Sequence, residues 1–294
     1  MTVTRSMKIT KETKFLIVGL GIIGGGYAEA LTKAGYKVRC ITKEQSDIDY
    51  ALEKGIIEEG YTTVKEDTLR WADIIVFALY PEVFVGWVEK YGALIKHGTL
   101  ITDVSGVKSG VVERVQALLK DGVEFISAHP MAGREGSGVY NSDAGVFRGA
   151  NYIVVPTEKN SEAAIEVCKQ IGEILGFGRI SVLSAKEHDQ MIAFLSQLTH
   201  VIAVSLMNCN SKEGLEAYTG DSFRDLTRIA KINDAMWSEL FLLNKEALVE
   251  QMDSFLAEME AFRTALIMGD EATMREKMQN STRQRAKFDK PKAK

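Results

Sequence analysis

Four histidines are the side chains of this sequence best suited to move a proton near neutral pH: His97, His129, His188 and His200. His129 follows a short apolar run at 124–127 and precedes Pro130, which keeps the residue before it extended. A loop containing glycine, arginine, glutamate and serine comes next. An ordinary imidazole pKa of about 6.5 suits a general base, so His129 is the candidate base. The alternative is a hydrogen-bonded loop histidine with no catalytic role.

Two other histidines, His188 and His200, lie in one predicted helical segment. With about 100° of rotation per residue they stand roughly 120° apart, so they do not share one narrow helix face. One can face a substrate cleft while the other packs, and either can be structural. No third ligand stands at metal-binding spacing, so we predict no metal site.

A pair of arginines in the same half of the chain could bind a carboxylate. Arg224 and Arg228 are four residues apart, the spacing of neighbours on a helix face, and Asp225 lies on a different face from Arg228. Guanidinium groups bind carboxylates through two parallel hydrogen bonds. The pair therefore predicts a small anionic substrate; the alternative is a solvated or salt-bridged surface.

A glycine-rich turn follows the first apolar run directly, with the sequence Gly19-Leu20-Gly21-Ile22-Ile23-Gly24. In this pattern the first glycine allows a tight turn, the second lets a pyrophosphate approach the backbone, and the third lets helix and strand pack closely. The free N–H groups of the following helix would face the phosphates. The turn predicts dinucleotide binding; the alternative is a glycine turn with a structural role.

The type of dinucleotide should depend on residues about 20 positions further on. The second apolar run ends with Thr42 and Lys43, and the nearest acid is Glu44. A hydroxyl and a positive charge suit a 2′-phosphate, so we expect NAD(P) with a preference for NADP. Glu44 reaching the ribose would instead favour NAD.

Short β-branched runs alternate with helix-length segments through the first part of the chain. Runs without polar alternation suit strands buried on both faces. The predicted fold class is therefore α/β, a Rossmann-type doubly wound, mostly parallel sheet, with strands near 15–18, 37–41, 73–78, 99–102, 124–127, 152–155 and 179–182.

After residue 183 the alternation stops, and Ser184 with Glu187 forms a capping-box pattern that opens a helix. We predict a dinucleotide-binding domain at 1–183 and an all-helical domain at 184–294 for substrate binding and dimerisation. A heptad-like stripe supports the second role: Leu248, Met252, Phe255, Met259, Phe262 and Leu266. The stripe fits a homodimer interface, or a helix packed inside its own bundle.

Composition excludes several classes of protein. A formal net charge of −4 is opposite to the basic surface that nucleic-acid binding requires. The N-terminal residues lack an apolar signal region, and the most apolar stretch, 191–207, is short and contains polar residues, so we expect a buried helix and no membrane span. Three widely spaced cysteines are typical of reduced thiols, and we predict a cytoplasmic protein.

Taken together, five segments resemble the prephenate/arogenate dehydrogenase family of tyrosine biosynthesis. The resemblance covers about residues 14 to 285 and is most specific in His-Pro-Met-Ala-Gly and Thr-Arg-Ile-Ala. The five segments are the glycine turn at 19–24, the stretch at 129–138, Glu-His-Asp at 187–189, Gln-Leu-Thr-His at 197–200, and 223–230, with Met236-Trp237 close behind.

The resemblance implies an NAD(P)-dependent oxidative decarboxylation of prephenate or arogenate by a homodimer. His129 would be the base, Arg228 would bind a substrate carboxylate, and His200 would line the pocket. Arg134 and Glu135 would close the cleft near the substrate side chain.

Two positions depart from the family pattern. A serine usually precedes Val-Lys in the loop after the fourth strand and supports the catalytic histidine, but here that position is Gly106 and the hydroxyl belongs to Ser105. We expect Ser105 to reach His129. Many members have threonine at position 134, and a cationic Arg134 would favour prephenate over arogenate.

Two other functions are compatible with a glycine turn followed by helices. A hydroxyacid dehydrogenase would carry a lysine on the first long helix of the second domain, yet no lysine lies between Lys186 and Lys212. A non-catalytic NAD(P)-sensing dimer would need no base, and the combination of His129 with Arg228 argues against it.

Overall fold

The structure, a computed structural model, describes residues 8–133, 136 and 138–289. Its strands are β1 Lys14–Val18, β2 Lys37–Ile41, β3 Glu59–Tyr61, β4 Ile74–Phe77, β5 Leu100–Asp103, β6 Glu124–Phe125, β7 Ser127–Met131, β8 Asn151–Val155 and β9 Arg179–Val182. Its helices are α1 Ile22–Lys33, α2 Gln45–Glu53, α3 Glu66–Trp71, α4 Pro81–Tyr91, α5 Val112–Leu118, α6 Glu162–Leu175, α7 Ala185–Ile192, α8 Leu198–Asn208, α9 Asp221–Thr227, α10 Asp234–Leu243, α11 Lys245–Met268 and α12 Glu271–Arg285.

A six-stranded parallel sheet in the order β3-β2-β1-β4-β5-β6 forms the centre of the first unit. Alternate residues of β1 enter two different apolar cores: Phe15 and Ile17 pack in one, Leu16 and Val18 in the other. Both faces of the strand are therefore buried, which explains its continuous apolar run. The Rossmann-type α/β fold followed by helices is confirmed.

A second, three-stranded sheet in the order β7-β8-β9 differs from the predicted single sheet. The run at 124–127 is divided, because β6 ends at Phe125 and Ser127 already belongs to β7, which is antiparallel to β8. His129 therefore lies in the middle of a strand, opposite Ile153, and not at the end of one. β7 is an edge strand, and an edge position tolerates Pro130 because it leaves no ladder hydrogen bond unmade. The short strand β3 was not predicted either.

Helices alone follow β9 in the described residues up to 289. The Ser184 hydroxyl accepts from the Glu187 N–H, and the Glu187 carboxylate accepts from the Ser184 N–H, so the predicted capping box is present. A π-helical turn at Ala193–Gln197 joins α7 to α8. The resulting helix Ala185–Asn208 is long and apolar enough to cross a membrane, with 28% of its apolar window buried in the chain. Its polar residues His188, Asp189 and Gln197 are themselves buried, which is typical of a helix that packs within a protein.

The heptad stripe on α11 is only partly covered by its own chain. Leu248 is buried, whereas Met259 is 55% exposed, Phe262 38% and Leu266 61%. Helix α12 contains no buried residue. The alternative in which the whole stripe packs inside its own bundle is wrong for its C-terminal half.

Candidate active site

The turn between β1 and α1 has the geometry of a dinucleotide cradle. Gly19 has a φ of +94°, and a side chain there would overlap the Ala78 carbonyl. A Cβ on Gly24 would overlap the Gly19 carbonyl, whereas a Cβ on Gly21 would meet no atom within 4 Å. Open space lies over the second glycine, where a pyrophosphate must approach the backbone. Gly21 caps α1 without a side-chain hydrogen bond, so the first N–H groups of the helix are available to an anion.

The remaining residues of the predicted cofactor site flank this cradle. Leu20 is buried in the core, and Ile22 and Ile23 are half-buried at the start of α1. The Thr42 N–H donates to the Tyr61 carbonyl, at 3.0 Å, just beyond β2, and Lys43 is exposed. These residues fit a dinucleotide that lies across the carboxyl ends of β1 and β2.

The strand that carries His129 is fixed by a buried ion pair at the end of β5. Asp103 and Lys108 are both fully buried, with Lys108 Nζ 3.3 Å from Asp103 Oδ2. Asp103 Oδ1 accepts from the Ser127 hydroxyl at 2.5 Å and from the Ala128 N–H at 3.0 Å. Lys108 Nζ donates to the Ala128 carbonyl at 2.7 Å. Both polar groups of Ala128 are therefore held, which fixes the backbone next to His129.

Burial acts on the protonation of this ion pair. Desolvation lowers the pKa of Lys108, and the neighbouring Asp103 carboxylate partly opposes the shift. A buried ammonium is stable only when it is paired and hydrogen-bonded. Lys108 meets that condition with Asp103 and the Ala128 carbonyl.

His129 is linked to a second buried histidine. Its Nδ1 is 2.9 Å from His188 Nε2, and His188 Nδ1 is 2.7 Å from Asp189 Oδ1. Asp189 is fixed in turn, because it accepts from the backbone N–H groups of Lys108 at 2.9 Å and Ser109 at 2.6 Å. The first domain supplies His129 and the 108–109 turn, and α7 supplies His188 and Asp189.

Both imidazoles of this pair favour the neutral form. Desolvation lowers the pKa of His129 well below 6.5, and the neighbouring His188 and Lys108 act in the same direction. Burial also lowers the pKa of His188, although its hydrogen bond to Asp189 opposes the shift. A neutral His129 can accept a proton, as a general base must.

His188 does not lie where a substrate-binding role requires. Its side chain has no exposed surface, and both ring nitrogens already have partners in the protein. In this structure His188 therefore contacts His129, and it has no surface with which to contact a substrate.

Ser105 and Gly106 approach His129 differently from the prediction. The Ser105 hydroxyl is buried and has no hydrogen-bond partner among the described residues. It therefore makes no hydrogen bond to His129 in this structure. The residue of this loop that lies next to the His129 ring is Gly106. A Cβ built on Gly106 would lie 3.8 Å from His129 Nε2. Gly106, without a side chain, therefore lies next to the second ring nitrogen of the base.

A second group of side chains comes from the helical unit. The His200 ring stacks on Trp237, with centroids 3.7 Å apart, and its Nδ1 is 2.9 Å from the Ser196 carbonyl. Desolvation lowers the pKa of His200, and the charge of Arg228 contributes in the same direction. Trp237 and Leu240 are one turn apart on α10, and the Leu240 side chain reaches the space at Gly106. Helix α10 therefore connects the His200 group to the His129 group.

The two predicted arginines have different surroundings. Helix α9 ends at Thr227, and Arg228 begins the 3₁₀ turn that continues from it. Arg224 is exposed and donates to Asp221 at 3.0 Å and to Thr219. Arg224 is thus in a surface ion pair, whereas Arg228 is close enough to His200 to affect its titration. Arg134 and Glu135 lie outside the described residues.

Four residues of the site lie in segments that the sequence singles out but were given no role there: Asp103, Lys108, Asp189 and Trp237. The segment at 103–109 follows a strand end, where ligands of open α/β sheets bind, but the spacing does not show that Asp103 and Lys108 form a buried ion pair. The role of Asp189 depends on a contact across 81 residues, from α7 to Lys108, which sequence spacing does not reveal. Across residues 8–133, 136 and 138–289, no group of three or more His, Cys, Asp or Glu side chains could hold a metal.

Two family sequence models match the chain. The model for the prephenate dehydrogenase nucleotide-binding domain matches residues 27–180. The model for the prephenate dehydrogenase dimerization domain matches residues 184–280. The two models meet at the start of α7.

Relatives of known name match over most of the chain. Prephenate dehydrogenase of Bacillus subtilis is 32% identical over 88% of this chain and 71% of that protein. Cyclohexadienyl dehydrogenase of Zymomonas mobilis is 29% identical over 86% of this chain and 88% of that protein. The crystal structure of prephenate dehydrogenase from A. aeolicus, in complex with hydroxyphenyl propionate and NAD+, superimposes with a TM-score of 0.86 at 26% identity, over 97% of this chain and 100% of that chain.

The matches agree with the geometry of the cradle and of the His129 group. The protein is an oxidoreductase with a nicotinamide cofactor, and its C-terminal unit is of the dimerization type. The chain belongs to the prephenate dehydrogenase family.

Proposed function

We propose that this protein is a prephenate dehydrogenase that converts prephenate to 4-hydroxyphenylpyruvate. The observation that carries the proposal is the placement of His129 on β7, held by His188 and by the backbone bonds of Ala128, where desolvation lowers the pKa of the ring and favours its neutral form. A base in that state can take the proton of the ring hydroxyl as hydride leaves the carbon that bears it.

The residues of the chain supply position and a base, and the nicotinamide accepts the hydride. Removal of the hydroxyl proton by His129 and loss of hydride give a ring ketone, and departure of the ring carboxylate as CO₂ makes the ring aromatic. The proton held by His129 can return to the resulting phenolate oxygen. Because aromatisation drives the reaction, alignment of the ring between His129 and the cofactor is the main requirement.

The substrate would lie between the His129 group and the His200 group. Arg228 would bind a carboxylate, and His200, stacked on Trp237, would line the pocket. Arg134 and Glu135 would approach the substrate side chain, where a cation favours the pyruvyl group of prephenate over the amino acid of arogenate. The Arg134→Ala variant tests this point; an unchanged preference between the two substrates would refute it.

We propose NADP as the preferred cofactor. Thr42 and Lys43 stand at the carboxyl end of β2, where the adenosine ribose of a Rossmann domain lies, and Lys43 is exposed. A hydroxyl and an ammonium there would stabilise a 2′-phosphate. Glu44, the N-cap residue of α2, is the acid that would favour NAD.

We further propose a cytoplasmic homodimer in which residues 1–183 bind the dinucleotide and residues 184–294 bind substrate and the partner subunit. The exposed part of the α11 stripe supports this arrangement, because Met259, Phe262 and Leu266 would be covered by the same stripe of a second copy.

Initial rates with two cofactors and two substrates test the proposed function. Prephenate and arogenate are each incubated with NAD or NADP, and cofactor reduction is followed by absorbance. We expect the highest kcat/KM with prephenate and NADP. Reduction only with arogenate would make the protein an arogenate dehydrogenase. No reduction with either substrate would refute the proposal and favour a hydroxyacid dehydrogenase or an NAD(P) sensor.

A further inference from the structure

The contact between His129 and His188 fixes which nitrogen of the base carries a proton. Asp189 Oδ1 is 2.7 Å from His188 Nδ1, and a carboxylate can only accept, so His188 Nδ1 carries the hydrogen. With a neutral His188, its Nε2 is then an acceptor. His129 Nδ1, 2.9 Å away, must donate to it. The lone pair of His129 is therefore left on Nε2.

The second ring nitrogen of His129 lies beside the backbone of Gly106. Its Nε2 is the ring atom nearest to the space at Gly106, at 3.8 Å from a Cβ built there. Nδ1, the nitrogen bonded to His188, faces the buried side, where His188 has no exposed surface. The ring is thus oriented with its acceptor on the side of Gly106 and away from the buried His188.

Asp189 is held in place independently of the histidines. Its two oxygens accept from the backbone N–H groups of Lys108 and Ser109, and its own carbonyl accepts from Asn244 Nδ2 at 2.9 Å. These bonds join α7, the turn before α5 and the start of α11. A fixed carboxylate orients the histidine bonded to it, as the aspartate of a Ser-His-Asp triad does.

We propose that Asp189 and His188 are positioning residues that act in series on His129: the carboxylate sets the tautomer of His188, and His188 sets the tautomer and orientation of the base. The proposal rests on the role of His129 as base in the proposed function. When His129 becomes an imidazolium, its Nδ1–H stays bonded to His188, and the Asp189 carboxylate stabilises the charge through that ring.

Two isosteric substitutions of His188 separate positioning from structural support. In His188→Gln the amide oxygen can occupy the place of Nε2 and accept from His129, but the bond to Asp189 is lost. In His188→Asn the amide can occupy the place of Nδ1 and bond Asp189, but it does not reach His129. A structural role that only ties α7 to the first domain predicts that the loss of kcat in each variant follows its loss of unfolding free energy.

We expect kcat to differ between the two variants without a matching difference in unfolding free energy, which urea titrations measure. A loss of kcat that follows the loss of stability would overturn the proposal. His188→Gln should retain kcat within about tenfold of the native enzyme, and His188→Asn should lose about 10²- to 10⁴-fold, the range that a general base contributes. KM for substrate should change by less than about threefold in both, because neither variant removes a group that contacts substrate. His97→Gln, at an exposed histidine of the first domain, is the control for replacing an imidazole. Equal rates in the two variants, or a higher rate in His188→Asn, would overturn the proposal.

The tautomer itself can be observed in the native protein, whether or not the variants fold. The chain has four histidines, so the imidazole ¹⁵N signals are few, and the spectrum of His129→Asn assigns those of His129. We expect a protonated Nδ1 and a bare Nε2 on His129; a protonated Nε2 would overturn the proposal. Full turnover by His129→Asn would instead refute the proposed function, a different outcome from either result on His188.

Discussion

The two halves of this chain bury their side chains to very different extents. The first half encloses two apolar cores and a buried network around Asp103 and Lys108. The helical half buries few side chains after α8, among them Leu248 and Ala265, and leaves Leu242 72% exposed and Met268 75% exposed. The base therefore stands in a unit that completes its own core, whereas Trp237 and Arg228 belong to a unit that a single chain leaves partly uncovered.

This difference assigns two tasks to two kinds of structure. A proton acceptor must be held within a fraction of an ångström, and strands joined by buried charge-assisted hydrogen bonds provide that rigidity. Large exposed apolar surfaces on a soluble chain mark interfaces. The exposed apolar side chains of the helical half are therefore expected to be covered only in the assembled protein.

The largest effect is expected from a substitution in the buried ion pair of the first half. Lys108→Met leaves the Asp103 carboxylate buried without its partner, so the free energy of unfolding should fall by about 3–5 kcal/mol in urea titrations. Lys96→Met is the matched control, because the Lys96–Asp73 pair is partly exposed and such pairs contribute about 0–1 kcal/mol. Equal losses in the two variants would mean that the buried pair does not fix β7.

A second substitution tests whether the exposed apolar stripe of α11 is the dimer interface. Replacing both Met259 and Leu266 by Glu places charges in the exposed stripe of α11, and should weaken self-association by about 3 kcal/mol, roughly a hundredfold in Kd. Sedimentation at several concentrations measures the change. Leu52→Glu, at an exposed leucine on α2 in the first unit, should leave association unaltered. A dimer that survives the double change would place the interface elsewhere.

A smaller effect is expected from a substitution beside the dinucleotide-binding turn, at the carboxyl end of β2. Lys43→Glu exchanges a cation for an anion at the end of β2, and should shift the ratio of kcat/KM for NADP over NAD by about tenfold toward NAD, close to 1.4 kcal/mol. Lys37→Glu, at the opposite end of the same strand, is the control. If both variants keep the native ratio, Lys43 does not contact the 2′-phosphate.

The smallest expected effect is in the pH profile. Because the pKa of His129 lies well below 6.5, the ring stays neutral as the pH falls to 6.5. It becomes protonated, and inactive as a base, only at lower pH. The enzyme should therefore keep more than half of its maximal kcat/KM at pH 6.5, where an ordinary histidine would keep about half. A midpoint of the acid limb at or above 6.5 would contradict the desolvation of the base.

The sequence predicted those features that depend on local patterns. The cradle at Gly19–Gly21–Gly24, the capping box at Ser184 and the apolar runs of the parallel sheet each follow from residues close together in the chain. Strand β7 was missed because Pro130 opposes a strand except at an edge, and edge position depends on tertiary structure.

The parts of the site that depend on distant contacts could not be predicted in this way. Whether His188 faces substrate or the interior depends on how α7 packs against β7. His188 and His129 are 59 residues apart in the chain, so their spacing does not reveal this contact. The different surroundings of Arg224, in a surface ion pair, and Arg228, near His200, likewise depend on contacts that the spacing does not reveal. The offset of Ser105 from the ring likewise depends on the path of one loop.

The central claim is that His129 is the proton acceptor, and replacing it by asparagine tests that claim most directly. Single-turnover and steady-state rates with prephenate should fall by about 10²- to 10⁴-fold in His129→Asn, while cofactor affinity and circular dichroism stay at native values. Turnover at the native rate in the folded variant would show that another group takes the proton.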